Sequence, residues 1–119
     1  MTDREMLEMA ARAAGTCLHP PGKLHTSYGN WGSDTTCTVC GNDPSAAMWN
    51  PLTDDGDALR LAVKLKLCVS IEFDRVDVTT PQMDNATEYF YDNPPTDPYA
   101  ATRRAIVRAA AAIGKEMKP

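Results

Sequence analysis

A chain of 119 residues with 43% apolar and 24% charged residues has ordinary globular composition, and a second domain would be too short to bury its own core. Its net charge of −4 repels phosphate backbones, which leaves bulk nucleic-acid binding without electrostatic support. No run approaches the ~18 apolar residues of a membrane span, and the start MTDREMLEM lacks the apolar core of a secretory signal. The expected setting is therefore a reducing cytoplasm, where the four cysteines read as metal ligands or buried thiols rather than disulfides.

Thr2 and Glu5 stand in the S/T-x-x-E arrangement of a capping box, which predicts a helix over 3–14. Met6, Leu7, Ala10, Ala13 and Ala14 recur at helical spacing as one apolar stripe, and Gly15 suits the left-handed residue that ends such a helix. Residues 16–47 change character. Cysteine, glycine, proline, asparagine and threonine dominate there, with Tyr28 and Trp31 as the large apolar groups, so the segment reads as a loop-rich insert in need of a staple.

After Trp49-Asn50-Pro51-Leu52, the run Thr53, Asp54, Asp55 and Asp57 supplies a cap and first-turn carboxylates for a second helix. That helix is expected to reach about Lys66 and to bury Leu59, Ala62, Val63 and Leu65. From Leu67 to Phe73 the apolar period drops to two, predicting a half-buried strand, with a second strand over Val76–Thr79 that Pro81 stops. Residues 81–98 form an acidic, proline-rich connection in which Glu88-Tyr89-Phe90-Tyr91 has the character of a short third strand. Asp97 as cap and Pro98 at the first position open a final helix, with Ile106, Ala109, Ala110, Ile113 and Met117 on one face. The expectation is one α+β domain over 1–119: a small antiparallel sheet packed with three helices. The body is 48–119 completed by the helix at 3–14, and 16–47 forms a zinc-knuckle-like insert after the first helix.

Cys37-Thr38-Val39-Cys40-Gly41 is a C-x-x-C-G knuckle, whose tight turn aims both sulfurs at one ion. Twenty residues upstream, Cys17-Leu18-His19 offers a second closely spaced pair. Cys17, His19, Cys37 and Cys40 together make a Cys₃His set suited to structural Zn²⁺, closed because protein fills all four positions. His25 rivals His19 as the fourth ligand, and Cys68 is a more distant rival. The bland alternative is four unbound thiols, or a Cys17–Cys37 or Cys17–Cys40 disulfide formed on oxidation. A redox role fits poorly, since Gly41-Asn42-Asp43-Pro44 does not open a helix after the second cysteine.

Asp54, Asp55 and Asp57 serve better as helix caps than as cation ligands or acid–base groups. No Ser/His/Asp order, phosphate-cradling glycine loop or H-E-x-x-H is present, so the chain is expected not to be an enzyme. Arg103, Arg104 and Arg108 cluster on the last helix and form a candidate anion or partner site; the competing reading is a solvated helix face. Tyr89 and Tyr91 in the acidic connection are candidate interface anchors.

Two segments carry a resemblance. Trp49-Asn50-Pro51-Leu52-Thr53-Asp54-Asp55-Gly56-Asp57-Ala58-Leu59-Arg60-Leu61-Ala62 resembles the central signature of the phage α/β/α (ABA) sandwich domain family of tailed-phage and prophage proteins. The stretch Asp97-Pro98-Tyr99-Ala100-Ala101-Thr102-Arg103-Arg104-Ala105-Ile106-Val107-Arg108-Ala109-Ala110 is similar to that family's C-terminal helix, and the Met-Thr-Asp-Arg-Glu start fits as well. The resemblance implies a small sheet packed on helices and a phage origin, and implies no activity. The resulting expectation is a non-enzymatic phage accessory protein in the host bacterial cytoplasm that binds a host protein and counters a bacterial immune system. The alternatives are an oligomeric sponge whose arginines hold a nucleotide signal, and a zinc-dependent enzyme with an open metal position.

Overall fold

Three helices and two small antiparallel sheets make an α+β protein, seen in a computed structural model that describes residues 2–16, 24–37, 49–89 and 97–117. The chain divides into two compact units. One joins Met1–Thr16 to Asn50–Pro119 and is called the body below; the other is Cys17–Trp49.

In the body, α1 spans Asp3–Ala14. Its capping box is formed: Glu5 N–H donates to Thr2 Oγ1 at 3.2 Å and Thr2 N–H to Glu5 Oε2 at 3.4 Å. At the other end Gly15 takes φ +69°, and Thr16 N–H reaches back to the Ala11 carbonyl at 2.9 Å. Helix α2 spans Asp55–Lys64 and is capped by Asp54, whose carboxylate accepts from Asp57 N–H at 2.8 Å. It stops short of the predicted Lys66. Lys66 itself turns left-handed at φ +55°, and Leu67 N–H closes onto the Ala62 carbonyl at 2.9 Å, the arrangement that a glycine made at the end of α1.

Strands β3 (Cys68–Ile71), β4 (Arg75–Thr79) and β5 (Asn85–Tyr89) form an antiparallel sheet in that order. Tyr89 is thus the end of a strand that begins three residues earlier than the cluster 88–91 suggests. The register sets Val69 opposite Val78, Ile71 opposite Val76 and Val78 opposite Ala86, so these five share one face. On the other face Thr87 Oγ1 donates to Asp77 Oδ1 at 2.6 Å, with Arg75 Nε 3.4 Å from Asp77 Oδ2.

Helix α3, Pro98–Glu116, is the post of the body. Asp97 caps it and Pro98 takes the first turn, as the sequence predicts. It packs against α1, α2, β4 and β5. Being enclosed on several sides, it buries Ala101, Ala105, Ile106, Val107, Ala109, Ala110, Ala111 and Gly114, far more than one stripe. Met117, expected on the apolar face, is 42% exposed because the helix ends at Glu116 and the chain turns extended there. Arg104 meets Asp3 near the start of α1, and Gly114 abuts Met9 further along, so α1 and α3 run in the same direction. A Cβ placed on Gly114 would lie 1.8 Å from the Met9 carbonyl oxygen, and no flexible side chain is there to yield.

The predicted burial of α2 is rotated. Ala58, Leu61 and Ala62 are buried, whereas Leu59 and Val63 are 64% and 68% exposed and Leu65 is half-buried. Likewise Ile71, expected on the inner face of a strand over 67–73, is 66% exposed, and Phe73 falls in the bend after β3, which ends at Ile71, and is 80% exposed. The cause is geometric. Helix α3 covers β4 and β5, burying Val76, Val78 and Ala86, and its cover does not extend over the edge strand β3.

The other unit contains a hairpin where the sequence suggests only irregular chain. Strand β1 (Leu24–Gly29) pairs antiparallel with β2 (Gly32–Cys37) around the two-residue turn Asn30-Trp31. Gly32 has φ +116°, a backbone that L side chains rarely adopt, and Thr26 and Thr35 share a cross-strand hydroxyl hydrogen bond of 3.0 Å. Serine, threonine, histidine and aspartate fill most of these two strands, LHTSYG and GSDTTC, which is why hydrophobic alternation does not reveal them.

Substituting Gly114→Ala forces α1 and α3 apart and is expected to lower the stability of the body by about 1–3 kcal/mol. Chemical denaturation of the two proteins side by side checks this, and an unchanged midpoint contradicts the close approach.

Candidate functional site

The three arginines of α3 divide between two places. Arg103 Nε donates to the Leu52 carbonyl at 2.9 Å and its Nη1 sits 2.6 Å from Asp55 Oδ1, tying α3 to the start of α2. Arg104 and Arg108 point elsewhere, toward α1 and β5. Arg104 Nη1 is 3.0 Å from Asp3 Oδ1 and its Nε 3.8 Å from Glu88 Oε1, while Arg108 Nη1 donates to the same Glu88 oxygen at 2.5 Å and to the Thr87 carbonyl at 3.1 Å. Arg104 and Arg108 therefore share one carboxylate, and Arg103 does not join them. Each arginine has an acidic partner in the fold, an arrangement that cross-links elements as readily as it would hold an anion.

Tyr89 ends β5 and is 58% exposed; Tyr91 lies outside the described residues. Of the expected metal ligands, Cys17, His19 and Cys40 also lie outside them, and Cys37 is described by its backbone alone, at the end of β2. Among the described residues no group of three His, Cys, Asp or Glu side chains is gathered for an ion. The two rivals for the fourth position are both exposed: His25 on β1 and Cys68, a free thiol, on β3.

Two features of the molecule have functional character that the sequence did not single out. The first is the tip of the hairpin. Trp31 is 101% exposed in the turn and Tyr28 is 85% exposed just before it. Single exposed apolar side chains are ordinary, but a tryptophan in the turn with a tyrosine near the end of β1 three residues earlier offers two side chains of the kind that dominates protein interfaces. Turn chemistry explains Gly32 and Asn30; nothing in the turn requires a tryptophan.

The second is a groove of about 590 Å³ in the body, between α2, α3 and β3. Ala58, Leu59 and Ala62 form one wall, Tyr99 and Ile106 another, and Val69 with Ile71 the floor. The Arg103–Asp55 pair closes one end. The signal for this groove is the mismatch itself: helix and strand carry more apolar positions than α3 alone covers.

The α2 wall is held at its N-terminus by Asp57. Partial burial pushes its carboxyl upward, but hydrogen bonds from Arg60 Nη2 at 2.7 Å and Asn50 N–H at 2.9 Å, with the Arg60 charge, outweigh this and hold it below its ordinary value. Comparisons with protein-family models, characterised proteins and solved structures found no match for the chain.

A carboxyl depressed in the folded state stabilises above its unfolded pKa of about 3.9 and loses that contribution as pH falls through the lower folded value. Asp57→Asn is therefore expected to cost about 1 kcal/mol at pH 7, with the difference from the parent shrinking as pH falls below the unfolded value and through the lower folded one. Melting curves across pH 2.5–7 read this, and a difference independent of pH contradicts the ion-paired role.

Proposed function

We propose that this protein is a non-enzymatic accessory factor of a bacteriophage that works in the host cytoplasm by binding a host protein of a bacterial immune system. The observation that carries the reading is the exposed pair Tyr28 and Trp31 at the tip of the β1–β2 hairpin. Burying a tryptophan and a tyrosine in a partner's pocket supplies the large share of binding energy that such anchors typically contribute. The phage origin rests on the sequence resemblance over residues 49–62 and 97–110. An acidic chain of net charge −4 also suits a basic host surface.

On this reading a structural Zn²⁺ stiffens the unit that presents the aromatics. The register sets Leu24 opposite Cys37, so the chain enters and leaves the hairpin at one end. The C-x-x-C pair begins at that end, and Cys17-Leu18-His19 precedes it in the chain. Three thiolates and one imidazole are a donor set that zinc fills tetrahedrally. Preorganising a short hairpin of marginal intrinsic stability lowers the ordering cost of binding. The nucleotide-sponge alternative draws less support, because Arg103, Arg104 and Arg108 each already face a carboxylate.

The test combines two measurements on the purified full chain. Elemental analysis is expected to find one zinc per chain. A tagged protein expressed in the host is expected to retain one host protein reproducibly, lost with the double substitution Tyr28→Ala and Trp31→Ala and with Cys40→Ser. Retention unaffected by the aromatic substitutions overturns the proposed anchor; absence of any retained host protein overturns the binding role.

A further inference from the structure

We infer that the body self-associates through the outer edge of β3, two copies joining their sheets and closing their grooves across a two-fold axis at Ser70. This surface is made by residues of the body and the proposed anchor by Tyr28 and Trp31 of the other unit, so it stands or falls independently of the host-partner reading.

Strand polarity starts the argument. Glu72 N–H donates to the Arg75 carbonyl at 2.8 Å, which fixes the even residues of β3 as those bonded to β4. The backbone groups of Val69 and Ile71 then point away from β4. Among the described residues no strand lies on that side, since β3 is the end of the order β3-β4-β5. An edge of this kind is normally protected by charge, proline or a bulge. Cys68-Val69-Ser70-Ile71 contains none of these.

A second copy satisfies the edge without a register conflict. In an antiparallel pair, opposite residues share a face. Placing the axis at Ser70 sets Val69 opposite Ile71 of the second copy and Ile71 opposite its Val69. Those two pairs make about four backbone hydrogen bonds, and every apolar side chain stays on the helix-bearing face. Displacing the axis by one residue, to Val69, would need the N–H of Leu67, which already donates to the Ala62 carbonyl.

Area points the same way. Leu59, Val63, Ile71 and Tyr99 remain 64%, 68%, 66% and 70% exposed around the groove and its α2 wall. Their exposed surface is on the order of 500 Å² per copy, so a symmetric pair covers on the order of 1,000 Å² even before the strand edge is included, which is where specific interfaces begin. An isologous contact needs a surface complementary to itself. This one is apolar on the floor and free of charge along the strand, so no like charges are forced together at the axis.

The native mass of the full chain at tens of micromolar is expected to be that of a dimer. Ile71→Lys is expected to weaken association by about tenfold or more while leaving the melting temperature of the diluted, monomeric protein unchanged, because residue 71 is already in water there. In a Cys68→Ser background, Ser70→Cys sits at a non-hydrogen-bonded pair on the axis, where Cα atoms lie about 4.5 Å apart and a disulfide forms readily. Mild oxidation is expected to yield a covalent dimer whose cross-linked peptide joins residue 70 to residue 70. A monomeric mass at every concentration overturns the proposal, as does a dimer that Ile71→Lys leaves intact.

Discussion

The body depends on how closely α1 can approach α3. A helix surrounded by another helix on one side, a third beside it and a sheet beneath has little space for side chains, and α3 answers with alanines and one glycine. The carbonyl of Met9 occupies the place where a Gly114 side chain would begin. Ala10, Ala11 and Ala14 of α1 face this surface with equally small groups, all nearly fully buried. Dispersion contacts between closely spaced backbones replace the large interlocking side chains of a typical core. The consequence is a core whose larger members are few: Ile106 and Val107 on the post, and Met6, Pro51, Leu61, Val76 and Val78 on the elements of the body.

A core of that kind has limited reach. Helix α3 covers β4 and β5 and stops; β3 and the outer side of α2 carry apolar residues beyond its cover. Leu59, Val63 and Ile71 are therefore not misplaced core residues but an apolar surface the fold constructs and leaves open. The charged groups at the start of α2 are committed to one another: Arg103 secures it through Asp55 and the Leu52 carbonyl, and Asp57 holds Arg60 and the Asn50 amide. The frame of the groove is thus closed at one end by the Arg103–Asp55 ion pair, and its opening is left by missing bulk.

Helix boundaries were legible because they are written locally. Thr2 with Glu5, Asp54 with Asp57, and Asp97 with Pro98 each satisfy backbone donors within a few residues, and local chemistry survives any tertiary arrangement. The end of α2 was misjudged because Lys66 does the work of a glycine, a substitution that sequence preference argues against. Burial on α2 and β3 was misjudged for a different reason. Periodicity reports which face is apolar, and only the packing partner decides whether that face is covered. The β1–β2 hairpin is not legible because its strands are mostly polar and its cross-strand pairs, such as Thr26 with Thr35, show no apolar period. The paired arginines were correctly located on α3, but the acids that receive them come from α1, α2 and β5, sequence neighbours of none of them.

If α3 is the post on which the body is assembled, its central amides open only when the whole body unfolds. Native-state hydrogen exchange measures this residue by residue. The account predicts that amides over 105–111 are the slowest in the protein and that their protection equals the free energy of global unfolding. Faster exchange there than in α1 or in the β4–β5 ladder would contradict it, and would place the organising contact elsewhere.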